Sequence, residues 1–383
     1  MDGLTHSLVG LASAKAGLER LSPYTAAVSI LAANAPDIDV VTAVGGRWTA
    51  LHYHRGITHS IVGTIILGIL IPTVFYLIDR AVARLRARPA RIRYGGFLLA
   101  SLMVSLTHPL MDWTNNYGLR PLLPWDGRWF YGDLVFIIDP YIWLIVGGAS
   151  FLLTSNTRAK LIVWSVIGAT TTLFVFAASA SRMPGNGSLF PARIIWIVGV
   201  LAFVTTRWRR FDKPIGRWAA IAALSAVVLY WSGLAWQHRI AYGRAVEVAQ
   251  RLATERHEHF IRTAAMPTAA NPFLWLCVAE TDVAMYRFSL RSNSAGMESS
   301  DLVSALDRFE KPAGRNTQLV ASASRDPRAQ ILLGFARFPI EKVEDSNCLE
   351  QTLVQFADLR YTEPGGPARG NFALNVPIEC DTR

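Results

Sequence analysis

Residues 57–78 read ITHSIVGTIILGILIPTVFYLI, and residues 79–93 continue as DRAVARLRARPARIR. The first stretch holds 22 residues without an Asp, Glu, Lys or Arg, and a bilayer core needs roughly 20 apolar residues to cross. The second holds six arginines against one acid. A segment entered through histidine and left through arginine decides the fold class and its orientation together, because excess Lys and Arg marks the cytoplasmic side.

The rest of the chain repeats this pattern. Three more long runs are nearly free of charge: Leu134–Thr157 (carrying Asp139), Leu161–Ser181 and Trp218–Gln237. Tyr94–Met111 is slightly short, and Ile194–Thr206 is shorter still. Upstream, Leu4–Leu18 and Ser22–Asn34 predict a hairpin of two short helices, with Ser22-Pro23 as an N-cap followed by a proline at the first helical position. Besides the Arg80–Arg93 loop, cationic loops fall at Arg158–Lys160 and Arg207–Arg217, and counting spans places all three on one side. The opposite side then receives residues 35–56, 112–133, 182–192 and everything after about 238.

Composition agrees. The chain has 383 residues, of which 51% are apolar and 17% charged, against about 25% charged in soluble domains. Residues 1–237 carry 21 Lys+Arg and 10 Asp+Glu, a balance of +11, and residues 238–383 carry 17 and 18, a balance of −1. The cationic excess therefore belongs to the apolar part, and no nucleic acid is expected as a partner. The N-terminus lacks the basic region and small-residue site of a cleavable signal. Cys277, Cys348 and Cys380 form no CxxC or Cys/His spacing, which excludes a zinc ribbon and leaves room for one disulfide.

After Gln237 the pattern changes. His238–Arg262 predicts an amphipathic helix, with Glu247, Arg251, Glu255 and His259 four residues apart. Strand-like runs follow at Phe273–Ala279, Ala284–Leu290, Gln330–Phe338, Thr352–Tyr361 and Phe372–Ile378, between turn-rich stretches. The expected fold class is mainly α: a polytopic bundle of six to eight helices over 1–237, with a small α+β domain over 238–383 outside the cytoplasm.

Five of the eight histidines lie in the first 108 residues. In order come His6; Asp37 and Asp39 after Pro36; His52, His54, Arg55 and His59; then His108 and Asp112. On the expected topology they collect at the extracytoplasmic ends of four elements. Imidazole and carboxylate together suit a divalent transition metal, and a catalytic zinc keeps one position for water. His108 and Asp112 share a helical face at four-residue spacing, although Pro109 biases His108 away from helical angles. Asp139, inside an apolar run, is either a further ligand or the partner of an arginine. Arg55 suits an anionic group such as phosphate, and Asp39 or His54 suits an orienting or general-base role.

These residues resemble a bacterial family described as membrane-bound metal-dependent hydrolases, sometimes as LexA-regulated. The resemblance rests on His6, Pro36-Asp37-Ile38-Asp39, His54-Arg55-Gly56-Ile57-Thr58-His59-Ser60 and His108-Pro109-Leu110-Met111-Asp112, in that order. The series also resembles zinc-dependent phospholipase C and the single-strand nucleases, which cleave phosphate esters with three zincs. Carried over by motif, that likeness implies His6, Asp37, His59, His108 and Asp112 as metal ligands. This chain starts with Met1 where those enzymes have a Trp, and its next histidine after Asp112 is His238. One or two ions are therefore expected, zinc or else manganese. The implied activity is hydrolysis of a phosphoester of a lipid or lipid-linked substrate at the outer face of the bacterial inner membrane. Its rivals are a non-enzymatic transporter or metal-binding scaffold, and a working C-terminal domain on a membrane anchor.

Overall fold

The computed structural model describes residues 1–177, 189–209, 216–293, 303–345, 350–365 and 372–379. Helix α4 (Ile61–Leu85) begins where Ser60 accepts the Gly63 N–H with its hydroxyl, an ordinary N-cap. A Cβ at Gly63 would overlap the Ile57 carbonyl oxygen, so only glycine lets the His59 turn fold back onto the helix start. At about 1.5 Å per residue, the apolar part from Ile61 to Ile78 is ~27 Å long, close to a hydrocarbon core.

Six helical stretches are long and apolar enough to cross a membrane: Thr25–Gly45, Ile61–Leu85, Tyr94–Trp113, Arg158–Ala177, Phe190–Trp208 and Arg217–Glu255. Helices α1 (Gly3–Ala16) and α2 (Thr25–Asn34) form the expected hairpin. They approach closely, since a Cβ at Gly10 would lie 2.7 Å from the Ser29 carbonyl oxygen. Ser22-Pro23 is not the start of α2. The chain turns there, and Tyr24, in the left-handed region, precedes the helix. A 3₁₀ stretch, Ala35–Gly45, extends α2, and the short helix α3 (Arg47–Tyr53) follows.

Helix α5 (Tyr94–Ser105) breaks at Leu106, and α6 (Thr107–Trp113) carries His108 and Asp112. Pro109 sits in the first turn of α6, where no intrahelical N–H is lost. The run Leu134–Thr157 yields only α7 (Pro140–Thr154), because Leu134 and Val135 donate their N–H groups to the Thr114 carbonyl. Asp139 and Pro140 then start the helix as N-cap and first residue. Helix α8 is Arg158–Ala177, and the weak sixth run becomes α9 (Phe190–Trp208). Most of loop 182–192 and residues 210–215 of the third cationic loop lie outside the described residues.

The chain divides into two compact units, the first being Met1–Ile38, Arg55–Gln237 and Pro267–Pro272. In the second, helix α10 (Arg217–Glu255) contributes its last turns, so the expected amphipathic segment continues a span without a break and ends before Arg262. Ala241, Ala245, Val248 and Ala249 of α10 pack on Trp275, Cys277, Tyr286 and Phe288. These belong to a sheet in the order β1 (Phe260–Thr268), β2 (Asn271–Thr281), β3 (Ala284–Arg291), β4 (Val303–Glu310). Alternate residues such as Val278 and Met285 face the other way, onto Ile340 and Ala357. Those lie in a second antiparallel sheet of β5 (Pro339–Val343), β6 (Gln351–Asp358) and β7 (Ala373–Glu379).

Helices α11 (Arg315–Ala323) and α12 (Pro327–Phe335) join the sheets, and α3 packs on α12 within this unit. The expected strand at Gln330–Phe338 is thus a helix in its larger part. Asp326 caps it by accepting from Arg328 N–H, and Pro327 fits its first position. Strands β1, β4 and β5 were not legible in the sequence. Cys277 is buried with its thiol free, and burial pushes that thiol's pKa up, while Cys348 and Cys380 lie outside the described residues.

Candidate metal centre

Four side chains from three segments converge within the first unit. Asp37 comes from the 3₁₀ stretch, His59 from the turn before α4, and His108 and Asp112 from α6. One donor atom from each lies within 4.8 Å of all the others. His59 Nε2 is 3.3 Å from Asp37 Oδ1 and 3.5 Å from Asp112 Oδ2. His108 Nε2 is 3.6 Å and 3.5 Å from the same two oxygens. Four ligands around a tetrahedral ion at about 2.0–2.1 Å would stand ~3.4 Å apart, so the spacing suits a small divalent cation.

Hydrogen bonding orients these rings for ligation. His108 Nδ1 donates to the Ala33 carbonyl oxygen at 2.6 Å, which fixes the tautomer and leaves Nε2 as the lone-pair nitrogen. That Nε2 is buried and makes no hydrogen bond. His59 Nδ1 shares a 3.1 Å hydrogen bond with Thr58 Oγ1, turning its Nε2 likewise toward the carboxylates. His6 stacks on His108 with ring centroids 3.8 Å apart. Neither of its buried ring nitrogens makes a hydrogen bond, and its Nε2 is 3.4 Å from Asp112 Oδ1. The Met1 amino group, also buried, contacts the same oxygen. Buried polar atoms are seldom left orphaned; imidazole nitrogens aimed at two carboxylates fit a group they would hold together.

Arg55 does not stand free for an anion. Its side chain is buried, with Nε 3.1 Å from Asp112 Oδ2. One terminal nitrogen donates to Asn115 Oδ1 at 2.9 Å and to the Gly118 carbonyl at 3.0 Å. The guanidinium lies over the Tyr117 ring, and the residue holds a positive φ of 53°. The corrected reading is a strained clamp that fixes Asp112 and ties α6 to the loop behind it.

Asp139 also departs from expectation and is not part of the cluster. It accepts the N–H groups of Tyr141 and Ile142 and the hydroxyl of Tyr230, so its oxygens serve as a helix cap and a phenol acceptor. Asp39 and His54 pair with each other at 3.1 Å in the second unit. Asn115 was not singled out in the sequence, and Thr58 and Tyr117, which lie in stretches shared with the resembled family, had no supporting role assigned. The polar run Thr114–Tyr117 directly after His108–Asp112 was the available signal.

Comparison with known proteins bears on this same region. No solved structure matches the chain. The uncharacterized protein YfhP of Bacillus subtilis (strain 168) is 26% identical over 154 residues, which cover 38% of this chain and 43% of that protein. The chain thus spans less than half the length of that curated relative. Residues 1–183, which contain every member of the cluster, match the family described as YdjM inner membrane protein.

Proposed function

We propose that the first unit is a metal-dependent hydrolase of the bacterial inner membrane, holding zinc and cleaving a phosphoester of a lipid or lipid-linked substrate. The observation that carries it is the set of buried His59, His108 and Asp112 with half-buried Asp37, in which His108 Nε2 is left without a hydrogen-bond partner. Nitrogen and carboxylate donors at this spacing favour zinc. What the ion supplies when bound is Lewis acidity toward an ester oxygen and toward water.

The chain's own residues do the rest. The Ala33 carbonyl fixes the His108 tautomer, Thr58 helps to orient the His59 ring, and Arg55 holds the Asp112 carboxylate in place. His6 lines the cluster as a further ligand for a second ion. His59 of the cluster precedes the start of α4, and the arginine-rich loop follows its other end. By the positive-inside rule, the arginine-rich loop supports an assignment of the cluster to the extracytoplasmic side. The motifs shared with membrane-bound metal-dependent hydrolases support the reaction class.

Elemental mass spectrometry of the detergent-purified full chain is the first test. One or two equivalents of zinc in the wild type, lost in a folded His108→Ala/Asp112→Ala variant, are the expected result. Phosphoester lipids offered to the loaded protein should then be cleaved at least 100-fold faster than by the variant. Absence of metal after reloading would sink the proposal; metal without turnover of any phosphoester would leave a metal-binding scaffold.

A further inference from the structure

The other end of α4 presents a charged surface that the metal centre does not use. Arg80, Arg84, Arg86, Arg91 and Arg93 are exposed, and Arg88 is half-buried. The single acid among them, Asp79, is engaged: its carboxylate accepts the N–H groups of Arg91 and Ile92 and pairs with Arg88 at 3.1 Å. The loop is ordered by its own backbone. Arg88 N–H returns to the Ala83 carbonyl at 2.9 Å, with Ala87 in the left-handed region, which closes α4 in a Schellman-type turn. Arg93 N–H donates to Ser22 Oγ, and Arg91 donates to Tyr24 Oη at 3.1 Å.

Two further features set its depth. Tyr76 and Tyr94 pack with centroids 4.9 Å apart, and Tyr76 Oη accepts from Arg80 at 2.8 Å. Phenols concentrate at the headgroup level of membranes. Leu85 is 87% exposed between Arg84 and Arg86, an apolar side chain at home in acyl chains and costly in water. Arg84 and Arg86 make no side-chain hydrogen bond or ion pair among the described residues.

We propose that this loop is a binding site for anionic phospholipid headgroups of the leaflet it faces. The guanidinium forks of Arg84 and Arg86 take the headgroup phosphates, and Leu85 enters the acyl region between them. A merely cationic loop would need neither the ordered turn nor the exposed leucine.

The test uses the full chain reconstituted in vesicles of equal phosphatidylglycerol and phosphatidylcholine, with native mass spectrometry of the lipids retained on release. Phosphatidylglycerol should be enriched in the wild type. The Arg84→Gln/Arg86→Gln variant should lose about fivefold of that enrichment per arginine, with an unchanged melting temperature. Arg84→Lys/Arg86→Lys, which keeps the charge, should retain most of it. Equal retention of both lipids by the wild type, or undiminished enrichment in the glutamine variant, would overturn the site. So would displacement of the retained phosphatidylglycerol by an RNA oligonucleotide, which would make the loop a nucleic-acid contact.

Discussion

Arg55 and Asp139 show how position decides what a charge does. Arg55, a basic residue amid histidines, was expected to bind an anion, and Asp139, an acid inside an apolar run, was expected either as a ligand or as an arginine's partner. Arg55 became a buried clamp on Asp112, while Asp139 became a cap for α7 and an acceptor for Tyr230. Arg55→Lys should therefore lose metal, because an ammonium cannot reach Asp112, Asn115 and Gly118 from one planar fork. Asp139→Ala should keep its full metal content and lose about 1–3 kcal/mol of stability from the missing cap and the stranded phenol. Metal analysis beside thermal melts of both variants separates the roles; metal loss in Asp139→Ala would restore it as a ligand. The clustered side chains were legible because each sits in a short motif. Their supports were not, since the His108 partner is a backbone carbonyl 75 residues away.

At the scale of elements, apolar length identified the spans and turn chemistry set their ends. Ile194–Thr206, the weakest run, became the 19-residue α9. The longer Leu134–Thr157 shortened to the 15-residue α7, because Asp139-Pro140 is a start signal that hydropathy ignores. The same Asp-Pro signal, at Asp326-Pro327, turned an expected strand into α12. Close approach matters as much at the head of α4. Gly63→Ala forces a methyl against the Ile57 carbonyl, so the His59 turn must move. We expect a destabilisation of about 1–3 kcal/mol together with weakened metal retention, measured as a lower melting temperature and faster zinc loss to a chelator. A variant that melts earlier yet holds zinc as firmly would show that the turn is not rigidly coupled to α4.

For the molecule as a whole, the change in charge balance after Gln237 pointed to a second part of different composition. The internal order of the second part stayed partly hidden, because charged residues such as Asp307, Arg308, Glu341 and Lys342 in β4 and β5 mask an alternating apolar pattern. Beside the apolar packing of α10, Glu258, three residues beyond the end of that helix, ties the first sheet together. It accepts from Thr281 at 2.7 Å and Tyr286 at 2.8 Å, and pairs with Arg308 at 2.9 Å, so one carboxylate gathers residues of β2, β3 and β4. Burial alone would raise its pKa, but these three partners outweigh burial and hold it below the usual glutamate range. A carboxyl depressed on folding stabilises at pH values above its unfolded pKa, and that contribution disappears as pH falls through the folded value. The wild-type chain should therefore melt progressively earlier as the pH is lowered below about 4.3. Glu258→Gln should be less stable by ~1–2 kcal/mol at pH 7 and lose less on acidification. Melting curves between pH 7 and pH 3, followed by the near-ultraviolet signal of the buried Trp275, test this. Parallel acid slopes for the two proteins would mean that apolar packing alone ties the sheet together.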